Sequence, residues 1–224
     1  MSYILNIDTA VVSASVSLAN DDKPLNLLIN PSQKDHAAWL HLAIKKIFQE
    51  TGSSLEQLDA IAVSAGPGSY TGLRVGMATA KGLCYALKKP LIAIGTLEMM
   101  AVAAQSESTT LLCPMIDARR MEVFTAIFDH NLKTILPPTN IILNEKSFQE
   151  VVNQHSVTFF GNGSDKFKDI LPPNESAQFR TIEANAKHMV ALAFNKLQQR
   201  SSMDLAYTEP SYGKDFYLNS VKPS

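Results

Sequence analysis

The chain has 224 residues, 46% hydrophobic and 18% charged, with 20 basic against 21 acidic residues and a net charge of −1. That balance excludes a disordered, collagenous or disulfide-built protein and fits one or two ordinary globular domains. It also excludes a protein that grips a phosphate backbone alone, since such proteins show a basic excess or stripe.

Met1-Ser2-Tyr3 leads straight into a strand-like run, with no basic start and no long apolar stretch. All apolar runs are shorter than the roughly 20 residues a membrane span needs. The expectation is a soluble, cytoplasmic protein. Tyr3 to Asp8 is a short apolar run, and Val11 to Ala19 alternates apolar residues with Ser or Ala, so the two read as a close strand pair. Leu25 to Asn30 reads as a third strand, broken by Pro31. Asp35 is placed to cap a helix whose apolar face is Leu40, Ala43, Ile44 and Ile47. Leu58 to Ser64 is a buried strand, and Cys84 and Cys113, both inside apolar stretches, read as buried free thiols.

Ala65-Gly66-Pro67-Gly68-Ser69-Tyr70 then forms a loop before a helix from about Thr71 to Leu87. That helix carries Gly72, Gly76, Ala78, Ala80 and Gly82. Each internal Gly costs about 1 kcal/mol of helix stability relative to Ala. Three of them imply that something packs very close. After Pro90, Leu91 to Gly95 is a strand and Thr96 can cap a third helix. Leu111–Asp117, Glu122–Asp129 and Thr139–Leu143 read as strands, Asn144 as the cap of a helix to about His155, and Val157–Gly161 as another strand. A long helix from about Asn185 to Arg200 carries Met189, Ala193, Phe194 and Leu197 on one side. Each half thus reads strand-strand-strand-helix-strand-helix, which suits two tandem actin-like lobes built on mixed sheets flanked by helices. The lobes are expected over 1–105 and 106–202, with the tail 203–224 folding back on the first.

The glycine loop can present backbone N–H groups and a helix N-terminus to an anion. It lacks the Gly-Lys-Ser/Thr of a phosphate loop and the spacing of a dinucleotide fingerprint. It reads either as a tight structural turn or as a ligand or partner site. Ser69 is not set in Gly-x-Ser-x-Gly, so hydrolase chemistry is unsupported.

The block Ser64-Ala65-Gly66-Pro67-Gly68-Ser69-Tyr70-Thr71-Gly72-Leu73-Arg74-Val75-Gly76, together with Ile7-Asp8-Thr9, closely resembles the TsaB (YeaZ) family of threonylcarbamoyladenosine biosynthesis proteins. Ala80-Lys81-Gly82-Leu83, Thr96-Leu97-Glu98 and the run Pro114 to Phe124 fit as well. The likeness covers the first 125 residues; beyond them it rests mostly on length. It implies two lobes of the actin-like, ribonuclease H-like (ASKHA) superfold, no independent catalysis, and a role as obligatory partner of the catalytic subunit TsaD, with the ATPase TsaE joining. TsaD transfers a threonylcarbamoyl group to N6 of adenosine 37 of transfer RNA, which this chain would meet only through the complex.

In that family the first two helices form the contact face, toward TsaD or toward a second copy when TsaD is absent. The matching residues are Trp39, Leu40, Ile44, Gly72, Leu73, Gly76 and Ala80. They read equally as core facing this chain's own sheet. Taken as interface, Gly76→Arg would abolish association and leave the fold largely intact. Catalytic relatives carry a His-x-x-x-His pair, one helical turn apart, for one metal ion. Thr96 and Met100 stand at the matching places here, a poor donor set, and no His occurs between His41 and His130. His36 and His41 are five apart, about 140° around a helix, and share no face. No catalytic residue, metal or cofactor is therefore expected. Asp8 and Thr9 resemble the first phosphate-loop carboxylate of actin-like ATPases, and read as a vestigial nucleotide site or one holding nucleotide weakly at the TsaD junction. The rival reading is an enzyme: a glycoprotease-like metallopeptidase or a small ATP-binding member of the superfold.

Overall fold

The computed structural model describes residues 1–30, 32, 35–105 and 110–213. β1 (Tyr3–Asp8) is buried from Ile4 onward, which puts it at the centre of a sheet. β2 (Ser15–Asn20) and β3 (Lys23–Ile29) continue that sheet antiparallel on one side. β4 (Leu58–Ser64) and β5 (Leu91–Ile94) extend it in parallel on the other, giving the order β3-β2-β1-β4-β5. Parallel neighbours need crossovers, and helices supply them: α1 (His36–Thr51) joins β3 to β4, and α2 (Tyr70–Leu87) joins β4 to β5. α3 (Thr96–Gln105) then leaves the sheet.

The second sheet repeats the plan. β6 (Leu111–Asp117) is central, with antiparallel β7 (Glu122–Phe128) and β8 (Thr134–Ile142) on one side. Parallel β9 (Val157–Phe160) and β10 (Ala177–Arg180) complete the order β10-β9-β6-β7-β8. The crossovers are shorter: α4 (Gln149–Gln154) and α5 (Ser164–Lys168). A single turn, Ala186–Met189, runs into α6 (Val190–Gln198). The two five-stranded lobes have one topology, that of the actin-like, ribonuclease H-like superfold.

Several local expectations need correction. Asp35 precedes α1 in a left-handed conformation (φ 59) and its side chain caps nothing. Thr96 is itself the first residue of α3, and its buried Oγ1 has no partner. The strand expected at Thr139–Leu143 begins five residues earlier, at Thr134, and runs through Pro137-Pro138, which an edge strand tolerates because a missing N–H can face solvent. Asn144 does not cap α4: its Oδ1 accepts from the Lys146 amide in a turn, and the helix begins only after Phe148, itself at φ 61. α5 and β10 were not anticipated. Pro31 and residues 214–224 lie outside the described residues.

The lobes exchange helices at their seam. α3 turns Leu97, Met100, Ala101 and Ala104 toward Leu112, Ile116, Phe124 and Phe160 of the second sheet. The turn before α6 and α6 itself place Ala186, Met189 and Ala193 against Ile4, Ala60, Ile92 and Ile94 of the first. Val11 and Ala184 touch both clusters, and the Ala186 amide donates to the buried Ser15 hydroxyl at 2.8 Å. The second lobe closes its core with the helix that directly precedes it, and the first with a segment from near the far end of the chain. Met189 is fully buried in that exchange. Met189→Ala is expected to lower the unfolding free energy by about 2–5 kcal/mol in urea titration. A loss below about 1 kcal/mol would mean that α6 is not integral to the first lobe.

Candidate functional site

β1 and β4 run parallel with Ile7 opposite Val63, so Asp8-Thr9-Ala10 and Ser64-Ala65 emerge side by side. α2 must start here and cross directly over the end of β1. The Thr9 carbonyl oxygen lies 1.9 Å from where a Gly72 Cβ would stand, and Thr9 Oγ1 lies 2.3 Å from a Gly76 Cβ. A Cβ on Gly68 would fall 2.5 Å from the Ala10 carbonyl oxygen. Real side chains cannot approach so closely, which is why these positions are glycine. What packs so near the glycine helix is this chain's own strand end.

Hydrogen bonds fix the approach. Thr9 Oγ1 donates to the Gly72 carbonyl at 2.7 Å. The Ser69 amide donates to the Ala10 carbonyl at 2.9 Å, and the Gly72 amide to Ser69 Oγ at 3.2 Å, so Ser69 caps α2. Gly66 (φ 112) precedes a cis bond to Pro67, and its carbonyl accepts from the Thr96 amide at 2.9 Å. The amides of Ser69 and Gly72 are thus used inside the protein rather than presented to an anion. Tyr70 and Thr71 stand exposed at the outer end of the turn, while Pro67 is buried.

Asp8 is fully buried beside this turn. Its Oδ1 accepts from the Ala10 amide at 3.0 Å, and its Oδ2 has no partner. Burial pushes its pKa up from 3.8 to about 6, with the nearby Ser64 hydroxyl and the Ala10 amide opposing that rise. The corresponding strand end of the second lobe differs. There Asp117 is half-exposed and binds Lys166 Nζ at 2.6 Å, an ammonium that also donates to the Arg120 and Glu122 carbonyls. That ion pair holds the Asp117 carboxyl below the usual range. Beside it Gly161-Asn162-Gly163-Ser164 forms a second glycine turn after β9. A Gly161 Cβ would sit 2.5 Å from the Met115 carbonyl oxygen, and one on Gly163 would sit 3.0 Å from the Ile116 carbonyl carbon. The sequence reading missed this turn, although Gly-x-Gly-Ser recurs in both places after a strand.

The residues marked for a partner face sort by direction. Leu40, Ile44, Gly72, Leu73, Gly76 and Ala80 are buried in the chain's own first lobe, and Trp39 is partly buried against its core. Gly76→Arg would drive a side chain into Thr9, so it reports on the fold and not on association, contrary to expectation. The outward stripe of α2 is Thr71, Ala78, Gly82 and Tyr85, with Val75 partly covered. Its spacing alternates fours and threes, the mark of one helical face. Leu42, 69% exposed on α1, and Tyr85, 83% exposed, are the large apolar groups there. An added Cβ on Gly82 would meet nothing within 4 Å.

On α3, Thr96 is fully buried and Met100 packs in the second-lobe core, its methyl against Gly161. Among the described residues no group of three or more His, Cys, Asp or Glu could hold a metal ion. His36 faces Asn30, ring nitrogen to amide nitrogen at 3.3 Å. Cys84 and Cys113 are free and buried, and burial pushes both thiols up to about 12, far from a reactive thiolate. No described helix is long and apolar enough to cross a membrane.

Fold and turn together define a two-lobed actin-like protein whose glycine motif is built into its own strand end. A family model described as tRNA N6-adenosine threonylcarbamoyltransferase (TsaD) matches residues 29–217. The chain is 29% identical over 217 residues to the tRNA threonylcarbamoyladenosine biosynthesis protein TsaB of Escherichia coli, covering 93% of both proteins. It is 28% identical over 171 residues to the Bacillus subtilis protein of that name, covering 75% of this chain and 74% of the relative. Among solved structures, YeaZ from Pseudomonas aeruginosa superposes with a TM-score of 0.77 at 23% identity, over 95% of this chain and all of that one. The chain belongs to the TsaB/YeaZ family within the TsaD superfamily, the biosynthesis proteins of tRNA threonylcarbamoyladenosine.

Two substitutions test the site's physics. Gly72→Ala forces a methyl onto the Thr9 carbonyl and should cost about 1–3 kcal/mol or more in denaturant unfolding; a neutral effect would refute the close approach. Because the Asp8 pKa is about 6 in the fold against 3.8 unfolded, the folded chain holds a proton that the unfolded chain has released in that window. Stability contributed by this group is therefore full below pH 3.8 and falls as pH rises toward about 6. Asp8→Asn should melt higher than wild type near about pH 7.5, by on the order of 3 kcal/mol, and lose that advantage near about pH 4. A pH-independent difference would show that Asp8 does not titrate there.

Proposed function

We propose that this chain is the non-catalytic scaffold subunit of the tRNA threonylcarbamoyladenosine synthase. It binds and supports a TsaD-type catalytic subunit, and a TsaE-type ATPase joins the pair. What carries the reading is α3. In a chain of the threonylcarbamoyltransferase superfamily, the places matched to the metal-binding imidazoles hold Thr96 and Met100; both are buried, and Met100 is packed in the second-lobe core. A hydroxyl and a thioether make a poor donor set for a catalytic ion. The glycine turn, whose Ser69 and Gly72 amides are already bonded, serves to seat α2 against the sheet.

The surface suits binding. α1 and α2 lie side by side with their buried faces on the first sheet. They leave outward a smooth strip of Ala78 and Gly82 edged by Leu42 and Tyr85. Small residues allow a partner helix to approach closely, and a large apolar or aromatic group beside them anchors it. A TsaD-type subunit occupies this strip, or a second copy when that subunit is missing. With a net charge of −1, the chain meets transfer RNA only through the complex. It needs no cofactor of its own and acts in the cytoplasm.

The decisive experiment is reconstitution from this chain, its TsaD- and TsaE-type partners, transfer RNA, ATP and threonylcarbamoyladenylate, with each protein omitted in turn. Modified nucleoside should appear only when TsaD is present, and multiple-turnover formation should stop without this chain. Product formed by this chain alone would overturn the assignment in favour of an enzyme. For the surface, Leu42→Glu combined with Ala78→Arg should weaken TsaD binding at least about thirtyfold, roughly 2 kcal/mol. Because both positions are exposed, the melting temperature should stay within about 2 °C. Wild-type affinity would place the interface elsewhere.

A further inference from the structure

After α6 the chain turns back along α2. The Met203 amide donates to the Leu91 carbonyl at 2.9 Å, tying the tail to β5, and Leu205 packs on the first-lobe core. Lys81 Nζ donates to the Thr208 carbonyl at 3.2 Å. The Ser211 amide donates to the Ala65 carbonyl at 2.7 Å, directly over the glycine turn. There the Ser211 carbonyl oxygen stands 2.0 Å from where a Gly66 Cβ would be, so glycine at 66 is what admits the tail. Next comes a clasp. Arg74 Nε donates to the Tyr212 hydroxyl at 3.1 Å, the Arg74 guanidinium lies 4.3 Å from the Tyr70 ring centre, and the two tyrosine rings are 5.0 Å apart. Gly213 then passes so close to the Phe124 ring of the second lobe that a Cβ would fall 2.5 Å from it.

We propose that residues 203–213 are a latched strap that covers the glycine turn, spans both lobes, and opens and closes while both lobes stay folded. The construction differs from that of the core. Along the whole strap only Thr208 is buried; Met203, Asp204, Tyr207, Glu209 and Ser211 are exposed. Its attachments are hydrogen bonds to backbone carbonyls at separate points, a single apolar contact of Leu205 with the first-lobe core, and one exposed cation–aromatic clasp. Such segments, poor in buried apolar contacts, open locally before the body unfolds. The clasp stands at the N-terminal end of α2, beside the turn, so it is the point at which opening uncovers Ala65 and Gly66. Lys81 and Arg74 border the outward stripe of α2, so the strap also forms one edge of that face. The proposal holds whichever partner, if any, that face takes.

Residue-resolved hydrogen exchange on the full chain tests it. In Arg74→Ala and in Tyr212→Ala, the Met203 and Ser211 amides should exchange about tenfold faster, while the Leu5 and Ile61 amides in β1 and β4 keep their wild-type rates. Tyr212→Phe keeps the ring and loses the hydroxyl, so it should fall between. Two results overturn the proposal. Unchanged exchange at Ser211 in both alanine variants would mean that the clasp is no latch. Equal acceleration at Leu5 and Ile61 would mean that the tail is part of the core and opens only with global unfolding.

Discussion

The contact that orders everything else is the seat of α2 on the end of β1. Thr9 presents its carbonyl and hydroxyl to Gly72 and Gly76, and the hydroxyl donates to the helix backbone. A helix crossing at that distance has one rotation open to it. Leu73, Met77, Ala80 and Cys84 then face the sheet, while Thr71, Ala78, Gly82 and Tyr85 face out. The glycines weaken the helix in isolation, each by about 1 kcal/mol relative to Ala. Close packing and the Thr9 bond offset that cost and convert a loosely determined helix into one of fixed register. The outward strip, the strap and the clasp all inherit their positions from this seat.

The second constraint is the exchange of helices. A five-stranded sheet has two faces to cover, and each lobe's own crossover helices cover one. The other faces meet at the seam, where α3, from the middle of the chain, and α6, from near its end, are laid across them. The lobes are thus held at a set angle by apolar burial, with Lys196 bonding the Ala93 carbonyl at 2.9 Å as a polar tie.

Most strands and the large helices were legible because their patterns are strong. β1, β4 and β6 are continuous apolar runs, as central strands buried on both faces must be. The repeat of element order carried the superfold. What was not legible has physical causes. α5 and β10 are five and four residues long, too short to show a period. Asp35 and Thr96 have cap chemistry but not cap geometry, because tertiary contacts set the backbone there. The second glycine turn was hidden by its short following helix. Leu40 and Leu42 are both leucine, and only the placement of the first sheet tells that one is core and the other surface.

The same limit explains why a glycine motif alone does not name its role. A glycine is needed wherever backbone meets backbone within a methyl's breadth, whether the second backbone is a strand end, a tail or a phosphate-bearing ligand. The sequence Gly-Pro-Gly-Ser therefore announces close approach and leaves the approaching group unnamed. In this chain the group is Thr9 and Ala10 on one side and Ser211 on the other, all parts of the same molecule. The Ser69 and Gly72 amides that could have met an anion bond to Ala10 and Ser69 instead. Asp8 lies inside the same joint: burial raises its pKa to about 6, so at neutral pH it is mostly ionised and its buried charge is a cost that the strand end carries. The strand end joins β1 to α2 through close packing and its own hydrogen bonds, with Asp8 held inside that joint.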